Sequence, residues 1–339
     1  MHTPLSIPIN NNCQPHPWHP SVIYHEDGWN GHRFWMAQTP FPPFHVPPYS
    51  DSYEVPCIHY SDDGIKWTPI NSNPIERITP EMESSHDYFS DPHILLKDGI
   101  MECYYRRTFL KNKQLIDNTT LLLKRTSING ENWSEPTIIA DLRTQTDKII
   151  WGDQIISPAI QHIDGSYYCW YVDRSSYLTN REIHVCTSLD GIHWQPYQKC
   201  HLLGHPIDPW HIDVQFYSNK YQLIVYDMSE LHWFESFDGI DFKHISTIIK
   251  PTNFFLDFYS TGLYRACSVK VGEHIYIYFS AKNAQRTSIG LLKTSDRKTF
   301  HFINGLSQLE YFKEYIYPQR SFKNLKRLIK HLIQKQHHK

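Results

Sequence analysis

Several histidines and acids lie at or near the starts of strand-like apolar segments, where a sheet can bring distant residues together. Asp91 precedes Pro92, and His211 is followed two residues later by Asp213. Residues i and i+2 of a strand project from one face, so His211 and Asp213 are expected to share a face of an inner strand. If a metal is bound, these two side chains and water are the predicted ligands. No HExxH or similar paired-ligand spacing occurs, so neither a metal nor another cofactor is predicted.

The elements that position these groups are indicated by five turns led by aspartate or asparagine, each followed by an aromatic residue. The copies begin at Asp63, Asn129, Asp190, Asp238 and Asp296 and end at Trp67, Trp133, Trp194, Phe242 and Phe300. Asp-Gly and Asn-Gly favour tight hairpin turns, and the aromatic residue is predicted to pack across the hairpin. Repetition at roughly fifty to seventy residues predicts radially stacked sheets. Any chemistry is then expected where the innermost strands start.

The composition fits one large β domain followed by a different tail. The chain has 339 residues, of which 40% are hydrophobic and 14% aromatic. We predict an all-β, five-bladed propeller over residues 1–318 and a basic amphipathic helix over residues 319–339. Apolar residues recur in that tail at helical spacing, with basic residues between them. The helix is predicted to dock on the propeller, to lie on an anionic membrane surface, or to bind a partner protein.

Charge and cysteine usage restrict partners and location. A formal net charge of −2 predicts no general affinity for nucleic acid. The seven cysteines are odd in number and form no CxxC pair, which favours buried, reduced thiols in a cytosolic protein. The N-terminal segment lacks the basic start and apolar core of a secretory signal. We therefore expect a cytoplasmic protein, with peripheral attachment to the inner membrane face as the alternative.

The five-blade pattern, with Asp91-Pro92 opening the second blade, resembles the five-bladed propeller glycosidases of glycoside hydrolase families 43, 32 and 68. The resemblance covers residues 18–305. It implies three carboxylates converging on the channel from the starts of blades one, two and three. They act as nucleophile or base, as transition-state stabiliser and as acid. Asp91 matches the second-blade carboxylate, whereas His19 and Ser157 stand at the first and third positions.

Other carboxylates are available to complete such a site. Glycosidic cleavage needs one carboxylate to stabilise or attack the cationic centre and a second, protonated carboxyl to donate to the leaving oxygen. We predict Asp91 as anionic stabiliser or nucleophile, and Glu54 or Asp173 as proton donor. Glu54 is placed in the third strand of blade one and Asp173 at the end of the second strand of blade three. The structural alternatives are a strand-turn cap for Asp91 and local ion pairs for Glu54 and Asp173.

A wider group of residues is predicted to bind the substrate. The arginines suit a carboxylate or phosphate through parallel hydrogen bonds, the tryptophans suit sugar rings, and the histidines equally fit hydrogen-bonded channel residues. Trp18 is a further stacking candidate. The substrate-binding residues predicted are His19, His93, Arg106, Trp170, Trp210, His211, Asp213 and Arg265.

The predicted function is that of a carbohydrate-active enzyme that hydrolyses or transfers a glycosyl unit. A furanosyl unit such as fructose, with sucrose as donor and an oligo- or polysaccharide as acceptor, fits the resemblance to families 32 and 68. Assembly of a bacterial capsule or surface polysaccharide is the expected setting. The alternatives are a non-catalytic glycan-binding propeller and a protein-interaction scaffold.

Overall fold

A computed structural model describes residues 1–8, 16–41, 54–85, 87–111, 114–174, 181–283 and 286–313. Within them, the strands form five sheets, four with four strands and one with five. The predicted all-β, five-bladed propeller is confirmed. Most of the proline-rich loop at 39–52 and the whole tail at 319–339 lie outside the described residues, so the amphipathic helix stays a prediction. Among the described residues, none of the helices has the length and apolar character needed to cross a membrane.

Each blade starts at the channel and continues outward through antiparallel strands. The first two blades comprise β1 (Pro17–Trp29), β2 (His32–Pro40), β3 (Cys57–Ser61), β4 (Thr68–Pro69), β5 (Tyr88–Lys97), β6 (Ile100–Lys111), β7 (Gln114–Ser127) and β8 (Thr137–Asp141). The third comprises β9 (Ile156–Ile163), β10 (Ser166–Asp173), β11 (Glu182–Ser188) and β12 (Gln198–Lys199).

The fourth blade has an additional outer strand. It comprises β13 (His201–Leu203), β14 (His211–Tyr217), β15 (Lys220–Tyr226), β16 (Leu231–Ser236) and β17 (Asp241–Ile249), with β13 parallel to β17. The fifth comprises β18 (Gly262–Val271), β19 (His274–Asn283), β20 (Arg286–Thr294) and β21 (His301–Ile303). Three short helices complete the described elements: α1 (Pro80–Ser85), α2 (Gln145–Trp151) and α3 (Gln308–Tyr311).

The five innermost strands form a closed ring. In the order β1, β5, β9, β14 and β18, each packs against the next, and β18 packs against β1. The N-terminal segment reinforces the junction of the last blade with the first. The Leu5 N–H donates to the Ile289 carbonyl on β20 at 2.9 Å, and Ser6 forms a bridge with Lys66. The ring therefore converges residues from every blade on one axis.

The repeated turns share a hydrogen-bond pattern that includes a hydroxyl before the Asp or Asn. In the first copy, Ser61 Oγ accepts the Gly64 N–H at 2.9 Å, and Asp63 Oδ1 accepts two further N–H groups at 2.8 Å. The fifth copy keeps this pattern through Thr294, although Arg297 replaces the glycine and adopts a φ of 60°. The predicted packing of the aromatic residues is confirmed for the buried Trp67, Trp194 and Phe242.

Three inner strands carry the same kink near the start of the blade. His19, Asp91 and Ser157 have φ angles of 54°, 51° and 54°, and each lies where the register with the neighbouring strand shifts. Each is followed by a proline, which has no N–H and therefore leaves no ladder donor unpaired at the bulge. These prolines lie within the first five residues of their strands.

Cysteines contribute to the cores within and between blades. The described cysteines, Cys57, Cys103, Cys169, Cys186, Cys200 and Cys267, are all buried and form no disulfide with one another. The predicted burial of the thiols is confirmed for these residues, and the cytosolic location remains a prediction.

Candidate active site at the propeller axis

The inner-strand bulges bring His19 and Asp91 together at the axis, where they meet His211 at the start of β14. His19 Nε2 and His211 Nδ1 each lie 3.6 Å from Asp91 Oδ1. One ligand atom from each of these residues lies within 4.8 Å of the others. We call His19, Asp91 and His211 the axial triad. A β-bulge redirects side chains out of the regular pleat, which explains how residues of three blades converge.

Asp91 is fixed through one of its two oxygens. Its Oδ2 accepts the Arg106 Nε–H at 2.7 Å and the Ser157 N–H at 3.1 Å. Its Oδ1 is buried and has no hydrogen-bond partner among the described residues. Asp91 thus presents one anchored and one unpartnered oxygen to the axis. The predicted substrate contact of Arg106 is replaced here by an ion pair that positions the carboxylate.

The protonation states of Asp91 and His211 suit a bound cation. Burial by itself would raise the pKa of Asp91, but the Arg106 guanidinium, together with the neighbouring basic groups His211, His19 and Arg265, outweighs it and holds that pKa well below its usual range. Burial lowers the pKa of His211 well below its ordinary value, against the opposing charge of Asp91. The carboxylate is therefore ionised and the His211 imidazole neutral at physiological pH.

Glu54 stands behind His19 rather than beside Asp91. Its Oε2 lies 3.0 Å from His19 Nδ1, and Thr39 Oγ1 lies 2.8 Å from the same nitrogen. With Nδ1–H donating to Thr39 Oγ1, whose hydroxyl donates to Glu54 Oε2 at 3.4 Å, the lone pair of Nε2 faces the axis. A carboxylate behind a ligating histidine is typical of metal sites, because it fixes the tautomer and orientation of the ring. The predicted placement of Glu54 within the third strand is corrected, since β3 begins at Cys57.

Arg265 lies in the centre of the ring and links two of the bulges. It is fully buried, with Nη1 donating to the Pro92 carbonyl at 3.0 Å and Nη2 to the Pro158 carbonyl at 3.2 Å. Its Nη1 also lies 4.0 Å from Asp91 Oδ1. Since both terminal nitrogens bind backbone carbonyls, Arg265 is placed to hold the inner strands together rather than to grip a substrate anion.

His93 and Asp213 form a second layer of buried polar groups on the inner strands. His93 Nδ1 lies 3.9 Å from Asp213 Oδ1, its Nε2–H donates to the Ile160 carbonyl, and Asp213 Oδ2 accepts the Ser268 N–H at 3.0 Å. Burial raises the pKa of Asp213 to about 6, and burial together with Arg265 lowers the pKa of His93 to about 3. His211 and Asp213 do lie on one strand, but Asp91, not Asp213, is the carboxylate that faces His211.

Aromatic side chains surround the axial triad. The Tyr264 ring lies 4.2 Å from His211 and 5.3 Å from His19, between ring centroids, and stacks on Trp18 at 5.0 Å. Its hydroxyl accepts the Trp210 Nε1–H at 2.8 Å. Burial raises the pKa of Tyr264, so its hydroxyl stays protonated. Tyr264 lies on β18, the innermost strand of blade five, and was not among the predicted site residues.

The partly exposed Trp210 extends the site outward. The guanidinium carbons of Arg174 and Arg181 lie 5.1 Å and 4.5 Å from its ring centroid. Trp18 and Trp210 are both half-buried, so each retains some exposed surface. These two rings match the predicted stacking role better than Trp170 does.

Two predicted residues lie elsewhere. Trp170 is 1% exposed, packs in the core shared by blades three and four, and donates its Nε1–H to the Gly239 carbonyl. Asp173 ends β10 as predicted, but its Oδ1 accepts the Gln154 N–H at 2.9 Å and its Oδ2 lies 3.7 Å from His184 Nδ1. A buried ring without an exposed face does not suit sugar stacking, and these contacts of Asp173 hold the end of its blade.

The donor atoms of the axial triad fit a divalent metal ion. Bonds of about 2.1 Å at a tetrahedral angle place two donor atoms about 3.4 Å apart, close to the spacing of the axial donors. Three donor atoms are buried and lack hydrogen-bond partners among the described residues: His19 Nε2, Asp91 Oδ1 and His211 Nδ1. Two imidazoles and one carboxylate suit Zn²⁺ or a similar transition metal. The sequence predicted no metal because it contains no local metal-binding motif. In the structure the three donors come from three different blades, so their spacing in sequence forms no such motif.

No family model matches the chain. Among curated proteins, the chain is 24% identical over 273 residues to an A type blood N-acetyl-α-D-galactosamine deacetylase from Flavonifractor plautii. The match covers 68% of this chain and 34% of that protein. The chain therefore spans about a third of the length of the curated relative it matches.

Solved structures share the fold. The crystal structure of an N-acetylgalactosamine deacetylase from F. plautii, in complex with blood group B trisaccharide, matches with a TM-score of 0.68 and 19% identity, covering 87% of this chain and 95% of that chain. A β-xylosidase matches with a TM-score of 0.59 and 11% identity, covering 86% and 97%. A family 43 β-xylosidase/α-arabinofuranosidase from a compost metagenome matches with a TM-score of 0.59 and 12% identity, covering 91% and 99%. The resemblance to glycosidase propellers is thus confirmed at the level of the fold.

Proposed function

We propose that the protein is a metal-dependent deacetylase acting on an N-acetylated amino sugar. The observation that carries this proposal is the convergence of three unpartnered donor atoms, from His19, Asp91 and His211, on the propeller axis. The printed function of the F. plautii relative supports the same substrate class. The first and third carboxylates implied by the glycosidase resemblance are replaced by His19 and Ser157, at bulges equivalent to that of Asp91.

The chemistry is amide hydrolysis. Water adds to the acetyl carbonyl carbon, the C–N bond breaks, the nitrogen takes a proton, and acetate and a free amine result. His19, Asp91 and His211 would hold a divalent ion, which would lower the pKa of a bound water and polarise the carbonyl oxygen. The chain's own groups have separate tasks. Arg106 holds Asp91 ionised, Glu54 orients His19, and the protonated Tyr264 hydroxyl is a donor for the developing oxyanion.

Sugar binding is assigned to the aromatic rim. Trp18 and Trp210 offer partly exposed rings beside Tyr264, and pyranose faces pack on such rings. Arg174 and Arg181 flank Trp210 and add positive charge at the rim. The acetamido group is thereby directed toward the axis while the rest of the glycan lies outside.

Glycosyl hydrolysis or transfer is the second candidate, because Asp91 and Glu54 both contact His19 and the fold is shared with β-xylosidases. In that case the ionised Asp91 stabilises the cationic centre and Glu54 is the acid. Fructosyl transfer from sucrose during capsule assembly is the narrowest form of this candidate.

One incubation separates the two candidates. The zinc-loaded protein is mixed with an N-acetyl-α-galactosaminide, and acetate, free amine and released monosaccharide are measured. We expect acetate and amine in equal amounts, loss of both products after chelation, and loss in His211→Ala but not in His301→Ala, an exposed histidine on β21. Monosaccharide release without acetate would favour the glycosidase candidate. Glucose release from sucrose with a glycan acceptor would favour transfer.

A further inference from the structure

A second group of histidines lies on blade four, away from the axis. His232 is on β16, His244 is on β17, and His205 is in the loop between β13 and β14. One ring nitrogen from each lies within 4.8 Å of the other two. We call these three residues the outer triad. The innermost strand that carries His211 is two strands from β16, so the two triads are separated laterally by roughly 10 Å or more.

The three rings are packed against one another. His205 stacks on His244 with centroids 4.6 Å apart, and His232 lies 5.0 Å from His205. Burial, followed by the charge of the neighbouring histidines, lowers the pKa of His244. Burial also lowers the pKa of His232, against the opposing effect of Asp227. Three imidazoles this close would repel one another if protonated, whereas a shared cation would use all three lone pairs.

A carboxylate supports the His232 ring. Asp227 Oδ2 lies 3.2 Å from His232 Nε2, and Asp227 Oδ1 is fixed by the N–H groups of Ser229 and Glu230 at 3.0 Å and 2.8 Å. With Nε2–H donating to Asp227, the Nδ1 lone pair of His232 faces away from that carboxylate. On that side the Thr247 hydroxyl oxygen lies 3.3 Å from His232 Nδ1, which is long for a hydrogen bond. At metal sites a carboxylate often binds the far ring nitrogen of a ligating histidine in this way and fixes the orientation of the ring.

A further observation points to a ligand. His244 Nε2 is buried and has no hydrogen-bond partner among the described residues. A buried imidazole nitrogen without a partner is costly unless it is occupied. The donor set contains nitrogen only, which disfavours Ca²⁺ and Mg²⁺ and favours a transition metal.

We infer that the outer triad binds one Zn²⁺ ion through His205, His232 and His244, with a fourth position left for water. Three histidines and a water form a common zinc coordination set. The ion joins the β13–β14 loop to the third and fourth strands of blade four. That loop leads directly into Trp210 and His211.

The test measures zinc stoichiometry by equilibrium dialysis on the full chain, after removal of metal with a chelator. The double variant His205→Ala/His244→Ala removes the outer donors, and His19→Ala/His211→Ala removes the axial donors. His201→Ala, an exposed histidine on β13, is the matched control. We expect the outer variant to bind one equivalent fewer than wild type, the axial variant to keep the outer equivalent, and the control to be unchanged.

The outcome does not depend on deacetylase activity. If the axial site binds no metal, wild type binds one equivalent and the outer variant none, so the two proposals fail separately. An outer variant that binds as much zinc as wild type overturns the inference. Asp227→Asn keeps all three ligands and guards against misfolding. Its zinc affinity at the outer site is expected to fall about 10- to 100-fold, and unchanged affinity also counts against the inference.

Discussion

Both triads bring histidines close to a carboxylate, but the carboxylate has a different role in each. At the axis, the carboxylate of Asp91 is itself a donor, and Arg106 and Arg265 lie within 4.0 Å of it. In the outer triad, all three donors are imidazoles, and the carboxylate of Asp227 stands behind one of them. Both triads have a carboxylate-backed histidine, His19 at the axis and His232 in blade four.

Under the two proposals, the axial triad is the reactive site and the outer triad is a structural one. Positive charge around the axial triad favours the negative charge that develops on a carbonyl oxygen during hydrolysis. The axial triad also adjoins the half-buried rings of Trp18 and Trp210, where a glycan can approach. The outer triad joins a loop to two strands and has no comparable aromatic rim among its described contacts. A metal there is expected to stabilise the structure without taking part in chemistry.

The largest expected effect comes from Asp91→Asn. It removes the charged axial donor, so acetate release should fall to background, well beyond the 10- to 100-fold that losing a supporting group costs. The outer zinc should remain bound, which dialysis of the same sample measures. The reciprocal variant, His205→Ala/His244→Ala, should keep most of the activity. Equal losses in the two variants would erase the distinction between a reactive and a structural triad.

Arg106→Gln tests the positive charge that distinguishes the axial triad from the outer triad. It leaves the buried Asp91 without its ion-pair partner, and breaking a buried pair costs about 3–5 kcal/mol. The free energy of unfolding should fall by this amount in urea titrations of the metal-free protein at neutral pH. Arg143→Gln is the matched control. Its pair with Asp141 is made by an arginine that is 48% exposed, so about 1 kcal/mol or less is expected. Similar losses in both variants would argue that Asp91 is not held by Arg106.

The two supporting carboxylates allow a crossed comparison. Glu54→Gln should weaken zinc binding at the axial site about 10- to 100-fold and leave the outer site unchanged. Asp227→Asn should weaken zinc binding at the outer site by a similar factor and leave the axial site unchanged. Competition with a coloured chelator measures both affinities. Only Glu54→Gln should also lower the rate of acetate release. If Glu54→Gln abolished activity while zinc affinity stayed at the wild-type value, Glu54 would instead act directly on the substrate.

The fold was predictable because its signals are local and repeated. The turn from Asp63 to Trp67 is formed by residues that are close in sequence, and four further copies define the period. Within these turns, the feature missed was the hydroxyl of Ser61 or its equivalent, two residues before each Asp or Asn. Because the pattern depends on backbone N–H groups as well as on glycine, Arg297 can replace glycine in the last copy.

The site was only partly predictable because its contacts are not local. Asp91, His19 and His211 were each named, but nothing in the spacing of 19, 91 and 211 indicates that they meet. Asp213 was favoured as the partner of His211 because alternation along a strand is visible in sequence, whereas a bulge in another blade is not. Tyr264 was missed for the same reason. The signal available in the sequence was that the site residues occupy equivalent positions at the starts of different blades.

The pH dependence of the two triads can be compared only where the propeller itself is stable. His59 is fully buried on β3, and its Nε2–H donates to the Pro8 carbonyl at 2.9 Å. Burial lowers its pKa to about 4, below the value of about 6.5 in the unfolded chain. The unfolded state therefore binds more protons between these values, and stability is complete above pH ~6.5 and declines as the pH falls toward ~4.

His59→Gln removes this titration and retains an N–H donor for the Pro8 carbonyl. Between pH 7.5 and pH 5, wild type should lose about 2 kcal/mol more unfolding free energy than the variant, as measured by urea titration of the metal-free proteins. The exposed His301→Gln should behave like wild type. Parallel pH profiles for wild type and His59→Gln would assign the acid sensitivity to other groups. Release of zinc from either triad above pH ~6.5 would then reflect competition by protons for the imidazoles themselves, since His59 does not destabilise the fold in that range.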